Sequence, residues 1–275
     1  MKIGKKPKDR ILSALTWGCA ALTFSVLLFL IGYILINGIP YLKPSLFAFK
    51  YNSENVSLFP ALMTTIMAVA LSLLIAVPFG LFTAVYLVEY ARRGNRLVGL
   101  VRVTAETLGG IPSIVYGLFG ALFFVVWLGW GYSLLAGSFT LAVMILPLVI
   151  RTTEESLKAV PDAFREGSFG LGAGRLRTVF KIVLPAALPG ILAGVILAVG
   201  RIVGETAALI YTLGNVAKMP ENIFASGRTL ALHMYSLSGE ALHTGQAFAT
   251  AVVLLVVVAG INALSAAAAK KIAKR

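Results

Sequence analysis

Arg201 and Glu205 stand four residues apart in the run from Ile182 to Tyr211, which holds no other charged side chain. Ionisable groups in such surroundings cost a few kcal/mol on insertion scales and turn toward a bundle interior or a watery cavity. Ala186, Gly190, Gly194 and Ala198 recur every four residues, a stripe of small side chains that lets another helix approach closely. Arg201 is seven residues beyond Gly194 and Glu205 seven beyond Ala198, so both are expected to continue that stripe and face protein rather than lipid. Two chemistries remain open. One is an Arg-to-Glu pair that only fixes helix packing; the other is an arginine offering paired donors to a tetrahedral oxyanion while Glu205 holds it in place. Counting about 1.5 Å per residue from Pro185 puts Arg201 roughly 24 Å along the helix, in the outer half of a membrane.

A second group of residues lies in the polar stretch from Arg151 to Lys181. Pro161 suits the first turn of a helix and Asp162 the positive end of its dipole. Gly170, Gly172 and Gly174 are expected to stop that helix, and Arg175 to Lys181 to form an amphipathic piece leading into Leu184 and Pro185. A short polar helix followed by a hard bend, held between two apolar runs, makes a docking knob. Arg151 is equally a basic anchor at a helix end and a pathway residue. Glu106, like Thr206 beside Glu205, is a pathway candidate, though Glu106 equally suits a helix start, and Pro112 with Ser113 reads as a kink and a packing contact. His233 and His243 lack the cysteine or acidic company of a metal site, and no role follows for them. The chain carries no G-x-x-x-x-G-K-[ST] phosphate loop. It is not expected to be an enzyme, and no cofactor is implied.

The elements that must position these residues are membrane helices. With 59% hydrophobic and 13% charged residues and a mean hydropathy of +0.90, the chain cannot be an ordinary soluble domain. Nineteen of its 24 basic residues fall in four clusters, Met1 to Arg10, Arg92 to Arg102, Arg151 to Lys181 and Lys270 to Arg275, each flanking an apolar run. That is the positive-inside pattern. The net charge of +13 therefore reports topology and contact with anionic membrane lipid, and argues against nucleic acid. Cys19 is the single cysteine, so no intramolecular disulfide can form. The first apolar run is too long for a signal peptide and lacks a small-residue cleavage site, so it is expected to remain as a helix.

At roughly 20 apolar residues per crossing, six spans are expected: Ile11 to Ile36, Ala61 to Val88, about Thr107 to Trp127, about Tyr132 to Ile150, Ile182 to about Tyr211, and Gly245 to Ala269. The fold class is all-α, with both termini cytoplasmic. Pro78 should kink the second span or frame a cavity. In the last outer loop, Leu230, Met234 and Leu237 keep helical spacing, suggesting an amphipathic segment near the outer mouth. No internal repeat is evident. The organisation expected is a tail, first helix and outer loop over 1–60, a permeation core over 61–269 containing the segment 151–181, and a basic tail over 270–275.

From Glu166, through Gly167, Ser168 and Gly172, to Ile182, Leu184 and Pro185, the spacing resembles the "EAA" signature of permeases in binding-protein-dependent ABC importers. It departs from that signature at Gly167 and Ser168, where the family usually has alanines. Arg201, Gly204, Glu205, Thr206, Ala207 and Ala208 resemble the R-x-x-G-E-T-A segment of the phosphate-specific permeases of the PstA type. Glu106, Gly110, Ile111, Pro112, Ser113, Tyr116 and Gly117 are similar to their E-x-x-x-G-I-P-S-x-x-Y-G run, and Arg151 with Thr152, Thr153 and Glu154 is a third match. The resemblance implies a MetI-like permease fold in a bacterial inner membrane and an EAA segment that docks into a nucleotide-binding subunit. It also implies a PstC-like second permease, two ABC ATPase subunits, an extracytoplasmic phosphate-binding protein, and inorganic phosphate as substrate. A permease for sulfate, molybdate or tungstate is the nearest alternative; an ion-driven carrier or a non-transporting scaffold would lack the docking signature.

Overall fold

The computed structural model describes residues 7–92, 94–240 and 242–273; the ends of both basic tails, and Arg93 of the second basic cluster, lie outside the described residues. Among the described residues every regular element is helical. In chain order these are α1 (Pro7–Gly38), α2 (Phe59–Val85, prolonged by a π-helical turn, Tyr86–Tyr90), α3 (Arg96–Gly109), α4 (Ser113–Gly120, prolonged by Ala121–Trp127) and α5 (Leu134–Lys158). There follow α6 (Asp162–Gly170), α7 (Arg175–Thr178, prolonged by Val179–Val183), α8 (Leu184–Val203), α9 (Ala207–Ile210), α10 (Leu230–Glu240) and α11 (Thr244–Ala273). α5 is the central helix: α2 and α8 pack along it, α3 and α4 touch it, and α11 closes on α8. Two-thirds of its most apolar window is buried, against none for α1, which leans mainly on α11 and the turn that follows it.

Among the described residues five helical runs are long and apolar enough to cross a membrane, and a sixth crossing requires counting a bent pair as one span. α1, α2 and α11 match the expected first, second and last spans to within a few residues, and α2 runs through Pro78 without ending. The third span is different. α3 and α4 meet at 104°, because Pro112 has no N–H to donate and drives the preceding residue out of helical backbone. Pro112 becomes the exposed N-cap of α4 and Ser113 its half-buried first residue, so the two form the corner itself rather than a kink within one helix. The Tyr116 hydroxyl donates to the Leu108 carbonyl at 2.7 Å across that corner. A Cβ on Gly117 would stand 2.8 Å from the Ala208 Cα, so glycine is what lets the α9 backbone lie on α4. Neither side of that contact can yield, and overpacking costs about 1–3 kcal/mol. Gly117→Ala is accordingly expected to lower the thermal unfolding midpoint of the purified assembly in detergent; an unchanged midpoint would mean that α4 and α9 are not so close.

The fourth span begins where expected, with the Ser133 hydroxyl accepting from the Ala136 N–H at 3.2 Å, but runs on past Ile150 to Lys158. Its polar end is sustained by two i,i+4 ion pairs, Arg151–Glu155 and Lys158–Glu154. The fifth span is displaced toward the N-terminus. It forms one helical run, Arg175–Val203, and ends at Gly204 rather than Tyr211. Pro185 cannot donate to the turn before it, and the preceding segment, Val179–Val183, widens into a π-helical turn. The helical segment expected from Leu230, Met234 and Leu237 is α10; Leu230 and Leu237 are fully buried, and it packs on α11 and α2. Its His233 is also fully buried, and burial together with nearby Arg228 pushes the imidazole down to about 3, so it is neutral.

Candidate functional site

The segment between α5 and α8 lies at what is hereafter the basic end of the bundle. α6 follows Pro161 and ends in a Schellman pattern: the Ala173 N–H donates to the Ser168 carbonyl at 3.1 Å and the Gly172 N–H to the Phe169 carbonyl at 2.9 Å. Gly172 has φ +80°, a left-handed backbone that side chains rarely adopt. Gly170 and Gly174 have negative φ, so one glycine of the three makes the stop. Ser168 is buried and its hydroxyl pairs with that of Thr178 at 2.8 Å, closing α6 onto α7. A departure from alanine thus serves as an elbow lock. Gly167 faces open space, and Glu166 is exposed beside it. Phe164, Phe169 and Leu171 stand out from this polar segment, Leu171 at 91% exposure. Pro185 is exposed at the base of α8.

Glu106 and Arg151 meet in a cleft of about 140 Å³ formed between α3 and the polar end of α5, together with Arg102, Glu154, Glu155 and Lys158. Buried Glu154 forms ion pairs with Arg102 and with Lys158, each at 2.7 Å. Arg151 pairs with Glu155 at 3.0 Å, both well exposed, and Glu106 lies within electrostatic reach of it. The Arg102–Glu154 bridge ties α3 to α5, and Arg151 stays exposed at the cleft.

Arg201 and Glu205 are not brought together as a pair. Arg201 occupies the last turn of α8, half-buried, and among the described residues it makes no ion pair. It lies within electrostatic reach of the Tyr116 hydroxyl. Because the helix stops at Gly204, Glu205 leaves the stripe; its carboxylate is buried and accepts from the Ala208 N–H at 3.1 Å, capping α9. Thr206 is half-buried at the break. The stripe itself lies on α5. A Cβ on Gly190 would meet the Ser156 hydroxyl at 2.5 Å, one on Gly194 would overlap Thr152, and Ala198 is fully buried, whereas Ala186 is exposed. These contacts fix an antiparallel register that brings Arg201 level with Ile145, about 16 Å from the start of α5 and about 9 Å beyond the level of Arg151 at 1.5 Å per residue. The two charged tiers are stacked along one axis.

Arg102 and Tyr116 join these tiers although spacing alone does not single them out. The one local signal is Tyr116, which stands inside the E-x-x-x-G-I-P-S-x-x-Y-G run; Arg102 gains its partner only through the fold.

A model of the family described as binding-protein-dependent transport system inner membrane component matches residues 76–275. The chain is 32% identical over 260 residues to a probable ABC transporter permease protein, YqgI, of Bacillus subtilis (strain 168), spanning 87% of this chain and 86% of that one. It is 37% identical over 218 residues to the phosphate transport system permease protein PstA 1 of Mycobacterium tuberculosis (strain CDC 1551 / Oshkosh), spanning 78% and 71%. The fold superposes with a TM-score of 0.72, at 16% identity over 97% and 96% of the two chains, on a chain of a bacterial alginate ABC transporter in complex with an alginate pentasaccharide-bound periplasmic protein.

Proposed function

Since the chain belongs to the family of binding-protein-dependent transport system inner membrane components, we propose that it lines the translocation pathway of an ATP-driven phosphate importer. Its fold is that of an ABC-importer permease. In this reading a second, PstC-like permease completes the pathway, two ATPase subunits supply the hydrolysis, and an extracytoplasmic phosphate-binding protein delivers the ion. The basic end faces the cytoplasm of a bacterium, as the lysine and arginine bias favours. α6 and its exposed Phe164, Phe169 and Leu171 enter a cleft of the ATPase. The loaded receptor and ATP together bias inward-open and outward-open states, which is alternating access.

Arg201 is the observation that carries the substrate. An arginine within a membrane span costs on the order of a few kcal/mol on insertion scales, whereas the dipole at a helix C-terminus returns about 0.3–1 kcal/mol. With no carboxylate on it, the guanidinium needs another anionic or aqueous partner. Phosphate near neutral pH carries between one and two negative charges, and desolvating it without a cation would be prohibitive. An arginine fork matches its oxygens. The relatives named as phosphate permeases support the choice among oxyanions.

The test is uptake of radiolabelled phosphate into proteoliposomes holding the chain with its co-expressed permease, ATPases and binding protein. ATP-dependent uptake that excess phosphate suppresses, and that sulfate, molybdate and tungstate leave unchanged, is expected. Suppression by one of those oxyanions and not by phosphate would reassign the substrate; ATP-independent uptake driven by an ion gradient would discard the importer.

A further inference from the structure

We propose that Arg165 welds the docking knob to the second membrane span through Glu89, so that motion of the ATPase is passed directly to α2 as well as along the chain to α5 and α8. Glu89 lies in the π-helical turn that ends α2 and is 7% exposed, and Arg165 lies in α6, 76 residues away in sequence. The Arg165 Nε and Nη2 donate to the Glu89 carboxylate at 3.1 and 2.7 Å. Nη2 also donates to the Leu157 carbonyl at 2.9 Å, and Nη1 donates to the Val160 carbonyl at 2.8 Å and to Asp162 at 3.1 Å. All five guanidinium hydrogens are thereby engaged. One side chain caps the end of α5, anchors α6 and grips α2.

Three further features make this a block rather than an isolated pair. Arg175 of α7 stacks over the ring of Tyr90, the neighbour of Glu89, at 5.2 Å, so α2 is gripped on both sides of the Gly172 bend. Ser168 and Thr178 lock that bend. Beneath it, Ala84 and Val85 of α2, Leu157 and Val160, Val179 and Val183 and Ala187 form one apolar cluster. Only the inward side of α6 takes part. Its outward side, with Glu166 and Phe169, is left free. Removing one partner of a buried, bidentate pair strands the other charge, while a surface pair would matter little.

The inference rests on the reading of α6 as the docking element, and the test separates the two. In the assembled importer, Glu89→Gln is expected to leave basal ATPase activity and the crosslinking of a cysteine at Leu171 to the ATPase unchanged. Binding-protein-stimulated ATPase activity and phosphate uptake should both fall by at least about tenfold, the scale of a coupling free energy between sites. Should Glu89→Gln fail to assemble, Glu89→Asp, which keeps the charge and shortens the reach, carries the expectation in weaker form: intact crosslinking with stimulation reduced about threefold. Normal stimulation in whichever variant assembles overturns the weld while docking stands. Loss of the Leu171 crosslink along with stimulation also overturns it, since Glu89 would then be shaping the docking surface. A Leu171 cysteine that never crosslinks in the unmutated complex rejects the docking reading itself, and the weld with it.

Discussion

Replacing Arg201 by Gln is expected to lower phosphate uptake by about 100-fold, because losing one partner of a desolvated charge pair costs about 2–5 kcal/mol. The complex should still co-purify, since among the described residues Arg201 holds no ion pair that the fold would miss. Lys at this position keeps the charge and loses the fork, so partial flux is the expected result. Glu205→Gln makes a sharp contrast. Its amide oxygen can still accept from the Ala208 N–H, so α9 stays capped and uptake should change by no more than a few-fold. The double variant is expected to behave like Arg201→Gln alone. Normal uptake by Arg201→Gln, or recovery in the double variant, would make the two residues a structural couple and remove Arg201 from the pathway.

That contrast also marks where local spacing stops being informative. Apolar length and basic flanks sufficed for α1, α2 and α11, because a membrane fixes how many apolar residues a crossing needs. The same count could not find the 104° corner between α3 and α4, since Gly110-Ile111-Pro112 reads alike in a gentle kink and a sharp one. Nor could it find the end of α8. Periodicity carried through Gly204 puts Glu205 on the arginine's face, yet a glycine and an available N–H at Ala208 let the carboxylate cap a new helix instead. α5 outran its apolar stretch with the support of ion pairs at i,i+4, which an apolar count does not register. The segment between α5 and α8 was more legible, as Pro161 and Gly172 act through backbone conformation alone. Its attachment was not: the Arg165–Glu89 pair spans 76 residues, and no pattern within a window reveals a contact between windows.

Gly172 offers the second large effect, and the structure sharpens how it should be tested. Nothing stands within 4 Å of the place a Cβ would occupy, so a substitution there acts through the backbone and not by collision. With φ at +80°, an ordinary residue pays about 1–2 kcal/mol for the left-handed conformation, a β-branched one more, and Asn little. The two carbonyls satisfied by the Schellman pattern, those of Ser168 and Phe169, would lose their donors if the turn opened, and with them the angle at which α6 meets α7. Gly172→Val is therefore expected to abolish uptake and binding-protein-stimulated ATPase activity, by about tenfold or more, while the chain still inserts and co-purifies with its permease partner. Gly172→Asn should retain most of both. A bulk-based explanation makes the opposite forecast, since Asn and Val are similar in size and would fail together. Equal activity of the Val variant and the unmutated importer would show that the bend does not carry coupling, and that the likeness to the docking signature is accidental.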